Sequence, residues 1–311
     1  MHFLYKADPI RGAEWARLFA ESAPDIHFHC WPECGDPKQI RYLAAWIPPV
    51  DIAQQFPNVE VVFSVGAGID QFDFSALPAH LPVVRMIEPG LAAGMVEYVT
   101  QAVLSLHRQT HLYRQQQGQH RWDAHNVKPA SSRRVGVLGL GVLGKAVLEK
   151  LHGFGFDCAG WSRSRHVLDG VTCYDGEAGS KGLSAFLART DILICLLPLT
   201  DSTRGILDKT LFAALPAGAA LINVGRGAHL VEADLLAALD SEHLSSAIID
   251  VLETEPPADD HPFWDHPAIV LTPHIASMTQ PETAFRVVLD NIRRHQAGQP
   301  LNGLVDRTRG Y

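Results

Sequence analysis

At 311 residues, with 47% hydrophobic and 19% charged residues, the chain can bury two cores of ordinary domain size, which excludes an intrinsically disordered protein. A formal charge of −8 excludes a general polyanion binder, so no nucleic-acid partner is expected and any basic cluster is a local feature. The apolar runs, such as Ile192 to Leu197, have strand length and the N-terminus lacks a charged-then-apolar leader, so a soluble cytoplasmic protein without a membrane partner is expected.

From Met1 to about Leu106 short strands alternate with helical stretches: Phe3-Leu4-Tyr5, an amphipathic Trp15 to Phe19, Tyr42 to Trp46, Val59 to Val65 and Val83-Val84. This order predicts a small parallel α/β unit, in which ligands collect at the loops after strand carboxyl ends. Two such loops stand out. Val61 to Val65 runs into Gly66-Ala67-Gly68-Ile69-Asp70, whose small residues expose backbone N–H groups as a nest for a carboxylate. Trp46, followed by Ile47-Pro48-Pro49, ends the neighbouring strand and is expected to wall the same cavity.

Five cysteines, at 30, 34, 158, 173 and 195, form an odd and scattered set that suits a reducing compartment. The run His27-x-His29-Cys30-x3-Cys34 alternates as a short strand before the turn Pro32 to Gly35, so no metal site is expected. Glu88 to Gly94 reads as a loop and Met95 to about Gln117 as one long helix. Residues 118 to 134 read as an irregular arm of the kind that embraces a second subunit.

The stretch Arg134 to Arg165 organises the remainder of the chain. Val135 to Leu138 is a short β-branched strand, and Gly139-Leu140-Gly141-Val142-Leu143-Gly144 then opens a helical pattern. In a dinucleotide-binding turn the first glycine permits the sharp bend, the second admits a pyrophosphate to the backbone, and the third lets the helix pack on the sheet. The helix start presents unpaired N–H groups to the phosphates. The next strand, Asp157 to Trp161, should end beside the adenosine ribose. An acidic residue there would take a ribose 2′-hydroxyl; this chain instead has Ser162-Arg163-Ser164-Arg165, two guanidiniums and two hydroxyls that suit a 2′-phosphate. NADPH is therefore the preferred cofactor, with NADH a second option.

The alternation continues through strands at Asp191 to Leu197, Ala219 to Val224, Ala247 to Val251 and Ala268 to Leu271, with helices at Leu211 to Leu215 and Ala233 to Leu239. That predicts a doubly wound sheet of six strands. Leu197-Pro198, Val224-Gly225-Arg226 and Asp250, at or near strand ends, join the candidate cofactor contacts. Pro281 to Gln296 is a final amphipathic helix expected to return to the first domain.

Three polar residues follow successive strands on the same edge as the glycine turn. Arg226, between Gly225 and Gly227, can project into a cleft and grip a carboxylate in two-point fashion. His274, in Thr272-Pro273-His274, is the natural proton carrier, and Glu255, before Pro256, can orient its imidazole.

The glycine turn, Ile222-Asn223-Val224-Gly225-Arg226-Gly227, Asp250 to Glu255-Pro256, and Thr272-Pro273-His274 resemble, in that order, the D-isomer-specific 2-hydroxyacid dehydrogenase family over nearly the full length. Trp46-x-Pro48-Pro49, Gly66 to Asp70, Trp161-Ser162-Arg163 and the terminal Val305 to Tyr311 resemble its glyoxylate/hydroxypyruvate reductase A branch. The resemblance implies an α/β protein of two doubly wound parallel-sheet domains, a flavodoxin-like substrate domain (1–98 and 285–311) and a Rossmann cofactor domain (99–284). It implies a homodimer and an NADPH-preferring reductase of glyoxylate and hydroxypyruvate, with Arg226 as substrate anchor, His274 as acid/base and Glu255 as its partner. Trp46, Gly66, Ala67 and Gly68 would complete the substrate site. Two alternatives from the same scaffold are a non-catalytic nucleotide-sensing binding protein and a formate- or phosphonate-type oxidiser that favours NAD.

Overall fold

The structure, a computed structural model, describes residues 1–177 and 180–307; the end of the Val305 to Tyr311 motif, residues 308–311, lies outside the described residues. The chain divides into two compact units, one of Met1–Leu91 with the chain from Met278, the other of Ala92–Ser277. The division falls seven residues before the expected 98/99 and 284/285 junctions at both places.

In the first unit the strands β1 (His2–Lys6), β2 (His27–Cys30), β3 (Ile40–Ala45), β4 (Val61–Ser64) and β5 (Val83–Val84) form a five-stranded sheet ordered β2-β1-β3-β4-β5. All its pairings are parallel, which is the flavodoxin-like order. Helices α1 (Pro9–Ser22) and α2 (Ile52–Gln55) lie between strands. Asp8 caps α1 by accepting the Ile10 and Arg11 amides, and Pro9 fits the first helical position because no intrahelical donor is needed there. His29, in β2, meets His2 of β1, Nε2 to Nδ1, at 2.8 Å.

The loop expected at Glu88 to Gly94 is instead the start of α3 (Pro89–His107). Glu88 is 3% exposed; its Oε2 accepts the Gly90 amide and the Thr283 hydroxyl, and its Oε1 accepts the Gln280 amide. A carboxylate that caps a helix start removes the need for a longer loop. The single helix expected from Met95 to Gln117 is also interrupted. It breaks at Gln109, φ +57, before α4 (Thr110–Gly118). No residue at the break is a strong helix terminator, so local propensity does not mark it.

The second unit is built on β6 (Arg134–Leu138), α5 (Val142–Gly153), β7 (Asp157–Ser162), β8 (Thr172–Asp175), α6 (Ser180–Ala188), β9 (Ile192–Cys195), α7 (Lys209–Ala213), β10 (Ala219–Asn223), α8 (Glu232–Asp240), β11 (Leu244–Ile249) and β12 (Ile269–Leu271). Its sheet has seven parallel strands, β12-β11-β10-β9-β6-β7-β8, where six were expected. The extra strand is β8, a short edge with no fully buried residue, so it lacks the continuous apolar run that announces a central strand. The remaining order is the doubly wound one, with its switch point between β6 and β9.

Finally α9 (Pro281–Gln296) belongs to the first unit. It buries Ala284, Phe285, Val288, Leu289 and Ile292 in a core with Phe3, Trp15 and Phe19. Among the described residues no helix is long and apolar enough to cross a membrane.

Candidate active site

The glycine turn separates into positions that the protein's own packing demands and one that it does not. Gly139, φ +107, receives the chain from β6; a Cβ there would lie 2.6 Å from the Leu196 carbonyl oxygen. A Cβ on Gly144 would stand 1.9 Å from the Gly139 carbonyl oxygen. Gly141 has an ordinary extended backbone, and a Cβ there would meet nothing within 4 Å. It is the N-cap of α5 and supplies no side-chain cap to the helix's first amides. A bare backbone with uncapped amides and the positive end of a helix dipole suits the pyrophosphate of a dinucleotide, so the residues present fit that group. Val142, 57% exposed, and the half-buried Leu143 come directly after.

At the tip of β7 the roles within Ser162 to Arg165 divide. Ser162 is 8% exposed and its hydroxyl donates to the Ser164 carbonyl at 2.6 Å, while its own carbonyl accepts the Gly176 amide at 3.0 Å. The Ser162 hydroxyl, expected to serve a 2′-phosphate, also shapes the turn. Arg163, Ser164 and Arg165 are exposed beyond it.

The loop after β10 is held from within. Asn223, fully buried, accepts the Gly225 amide on Oδ1 and donates through Nδ2 to the Arg226 carbonyl. Val224 donates its amide to the Cys195 carbonyl, and Arg226 Nη1 donates to the Gly225 carbonyl at 2.8 Å. A Cβ on Gly227 would stand 1.8 Å from the Leu252 carbonyl carbon, so this loop is pressed against the segment that leads to Glu255. Glu255 Oε1 in turn accepts the Leu252 amide at 3.0 Å, and its Oε2 lies 2.8 Å from His274 Nδ1.

His274 has φ +54, a left-handed backbone that costs a non-glycine residue roughly 1–2 kcal/mol. Asp250 supplies the brace. Its carbonyl accepts the His274 amide; its carboxylate accepts the Thr272 hydroxyl and the Ile275 amide on Oδ1 and the Ala276 amide on Oδ2. Its own amide donates to the Asn223 carbonyl, which ties this brace to the Arg226 loop. Asp250, expected to touch cofactor, is 2% exposed and its carboxylate accepts from three chain donors. Burial pushes its carboxyl above the usual range, against the pull of those donors and of His274. Tyr98 of α3 extends the chain to the Thr272 hydroxyl at 2.5 Å, and burial pushes its phenol up to about 12. No sequence signal marks Tyr98 as part of this brace, because α3 is remote along the chain from β11 and β12.

Leu197 flanks Gly139 through its backbone amide, and the Pro198 carbonyl accepts the Thr203 hydroxyl at 2.7 Å and meets His229 Nε2 at 3.3 Å. His229, absent from the expected site, is completely buried. Only its position three residues after Arg226 sets it apart in sequence.

In the other unit, taken by itself, Trp46 lies over Gly66: a Cβ there would be 2.8 Å from the indole. The Gly66 amide is already given to the buried Ser64 hydroxyl, and the Gly66 carbonyl accepts from that hydroxyl and from the Met86 amide. The carboxylate nest expected from Gly66 through Gly68 is therefore reduced to the amides of Ala67 and Gly68.

The family model described as D-isomer specific 2-hydroxyacid dehydrogenase, NAD binding domain, matches residues 100–276. A glyoxylate/hydroxypyruvate reductase A of Yersinia enterocolitica is 38% identical, with all of both chains covered. A D-isomer specific 2-hydroxyacid dehydrogenase from Xanthobacter autotrophicus Py2, solved in complex with NADPH and MES, superposes with a TM-score of 0.93 at 37% identity over 100% of this chain and 99% of its own. An NADPH-dependent glyoxylate/hydroxypyruvate reductase from Sinorhizobium meliloti, in complex with NADP and sulfate, gives 0.91 at 36% identity, again over 100% and 99%.

Proposed function

The chain belongs to the D-isomer-specific 2-hydroxyacid dehydrogenase family, and from that premise we propose that it is an NADPH-dependent reductase of small 2-keto acids, taking glyoxylate to glycolate and hydroxypyruvate to D-glycerate. The observation that carries this reading is the Glu255–His274 pair, 2.8 Å apart, on a braced loop at the carboxyl edge of the sheet that also bears the glycine turn. Gly139, Gly141, Gly144 and the Ser162 to Arg165 loop would hold NADPH, with Leu197, Pro198, Val224 and Gly225 beside them. Bound there, NADPH supplies hydride to the 2-keto carbon.

The chain's own residues do the rest. Glu255 takes the Nδ1–H of His274 and so points Nε2–H outward, where it protonates the oxygen that gains charge as the carbonyl is reduced. Arg226 holds the substrate carboxylate, and its forked donors fix the orientation of the keto group. The Ala67 and Gly68 amides, with Trp46, are assigned to the substrate as well. We further assign the arm of residues 118 to 134, where Trp122 is wholly exposed, to a second copy in a cytoplasmic homodimer.

The test is catalytic efficiency over a short series of 2-keto acids with NADPH and with NADH. Glyoxylate and hydroxypyruvate should be reduced with NADPH. His274→Asn should lower turnover by roughly 10²–10⁴-fold while NADPH binding, read by fluorescence, survives. Tight NADPH binding without turnover in the unaltered protein would refute the reductase and favour a nucleotide sensor.

A further inference from the structure

We propose that His229 is a positioning residue for Arg226, aiming its guanidinium by fixing the backbone from which the side chain departs. The inference rests on the reading of Arg226 as the carboxylate anchor. His229 closes a short 3-10 turn over Gly227–His229 and is 0% exposed. Its Nδ1 accepts the Arg226 amide at 3.0 Å and its Nε2 lies 3.3 Å from the Pro198 carbonyl oxygen. A carbonyl can only accept, so Nε2 carries the proton and Nδ1 is left bare for the amide. One neutral tautomer thus joins the loop after β9 to the loop after β10. A second proton on the ring would set N–H against N–H at Arg226.

Space for the ring is made by Gly225: a Cβ there would stand 2.9 Å from His229 Nδ1. The glycine before the arginine therefore does more than free the arginine to project; it admits the imidazole beneath it. Asn223 secures the carbonyl side of Arg226 and His229 the amide side. With both peptide groups fixed, the Cα–Cβ direction of Arg226 is fixed too, and a long side chain magnifies any error at its root.

Two substitutions separate the ring's two bonds. His229→Asn places an amide oxygen near the Nδ1 position and keeps the acceptor for Arg226, whereas His229→Gln reaches toward Pro198 and leaves the Arg226 amide without a partner. With NADPH saturating, His229→Gln should raise KM for glyoxylate and weaken binding of the unreactive analogue oxamate by about ten-fold or more, because the guanidinium is no longer aimed at the carboxylate. NADPH affinity should stay within about three-fold, and His229→Asn should stay close to the unaltered enzyme in every readout. Gly225→Ala, which displaces the ring without removing it, should reproduce the rise in KM and the loss of oxamate affinity and serves for those two readouts if that variant does not fold.

Equal effects of His229→Asn and His229→Gln, or a loss of NADPH affinity as large as the loss of oxamate affinity, would overturn the proposal by making the ring a general support of the fold. Arg226→Gln is the control. If it raises KM and weakens oxamate while His229→Gln and Gly225→Ala do neither, the His229 inference fails alone. If Arg226→Gln leaves both unchanged, the anchor assignment and this inference fail together.

Discussion

The glycines at 139, 141 and 144 share a motif but not a reason. Gly144→Ala would drive a methyl group to within 1.9 Å of the Gly139 carbonyl oxygen, so the backbone must part and stability must fall. Overpacking of this kind costs typically 1–3 kcal/mol. Gly141→Ala meets nothing and sits in an allowed backbone region, so its thermal midpoint should be unchanged. Its NADPH affinity should nevertheless drop, because the methyl group occupies the approach to the α5 amides. Calorimetry of both variants, with and without NADPH, checks the contrast; a Gly141→Ala protein that binds NADPH normally would remove the pyrophosphate from that position.

At the scale of elements, a side-chain clamp reinforces the β6–β9 pairing at the amino ends of these strands. Asp191, just before β9, accepts the Arg134 amide and Nε on Oδ2 and Nη2 on Oδ1, while its own amide donates to the Arg134 carbonyl. Burial by itself would raise the Asp191 carboxyl, but the donors of Arg134 outweigh it and hold the group below its ordinary value. A depressed folded-state pKa contributes stability above the unfolded value, about 3.9, and that contribution is lost as pH falls through the folded one. Asp191→Asn should therefore be less stable than the unaltered protein at pH 7, with the gap narrowing as pH falls below about 4. Urea unfolding at several pH values measures it, and a gap independent of pH would show that the clamp is not ionic.

For the molecule as a whole, the decisive event is that the last helix returns to the first unit. The Phe285 ring of α9 meets Phe19 of α1 edge-on, centroids 4.9 Å apart, and the Trp15 indole donates to the Pro281 carbonyl at 3.0 Å. Glu88 locks the start of α9 through the Gln280 amide and the Thr283 hydroxyl. Removing the ring leaves a cavity in a closed core, so Phe285→Ala should cost about 3–5 kcal/mol, seen as a lower urea midpoint. A shift equivalent to less than about 1 kcal/mol would mean that α9 is not an integral part of that core.

The sequence alone determined whatever depends on short-range order. Apolar runs marked the central strands because strands covered on both faces need them. The glycine turn announced itself because its bends require glycine at fixed spacing. Arg226, Glu255 and His274 stood out because each comes after a strand in the same sense. The tertiary structure decided what depends on partners distant in the chain. Edge strand β8 has no apolar signature of its own, and α3 begins at Pro89 because Glu88 meets both the Gly90 amide and residues 280 and 283. The tertiary structure also made Asp250 the brace of His274 and Ser162 the pin of its own turn, because folding brought their donors and acceptors close. His229 was invisible for the same reason: nothing in its neighbours along the chain shows that folding will close Pro198 and the Arg226 amide around one ring.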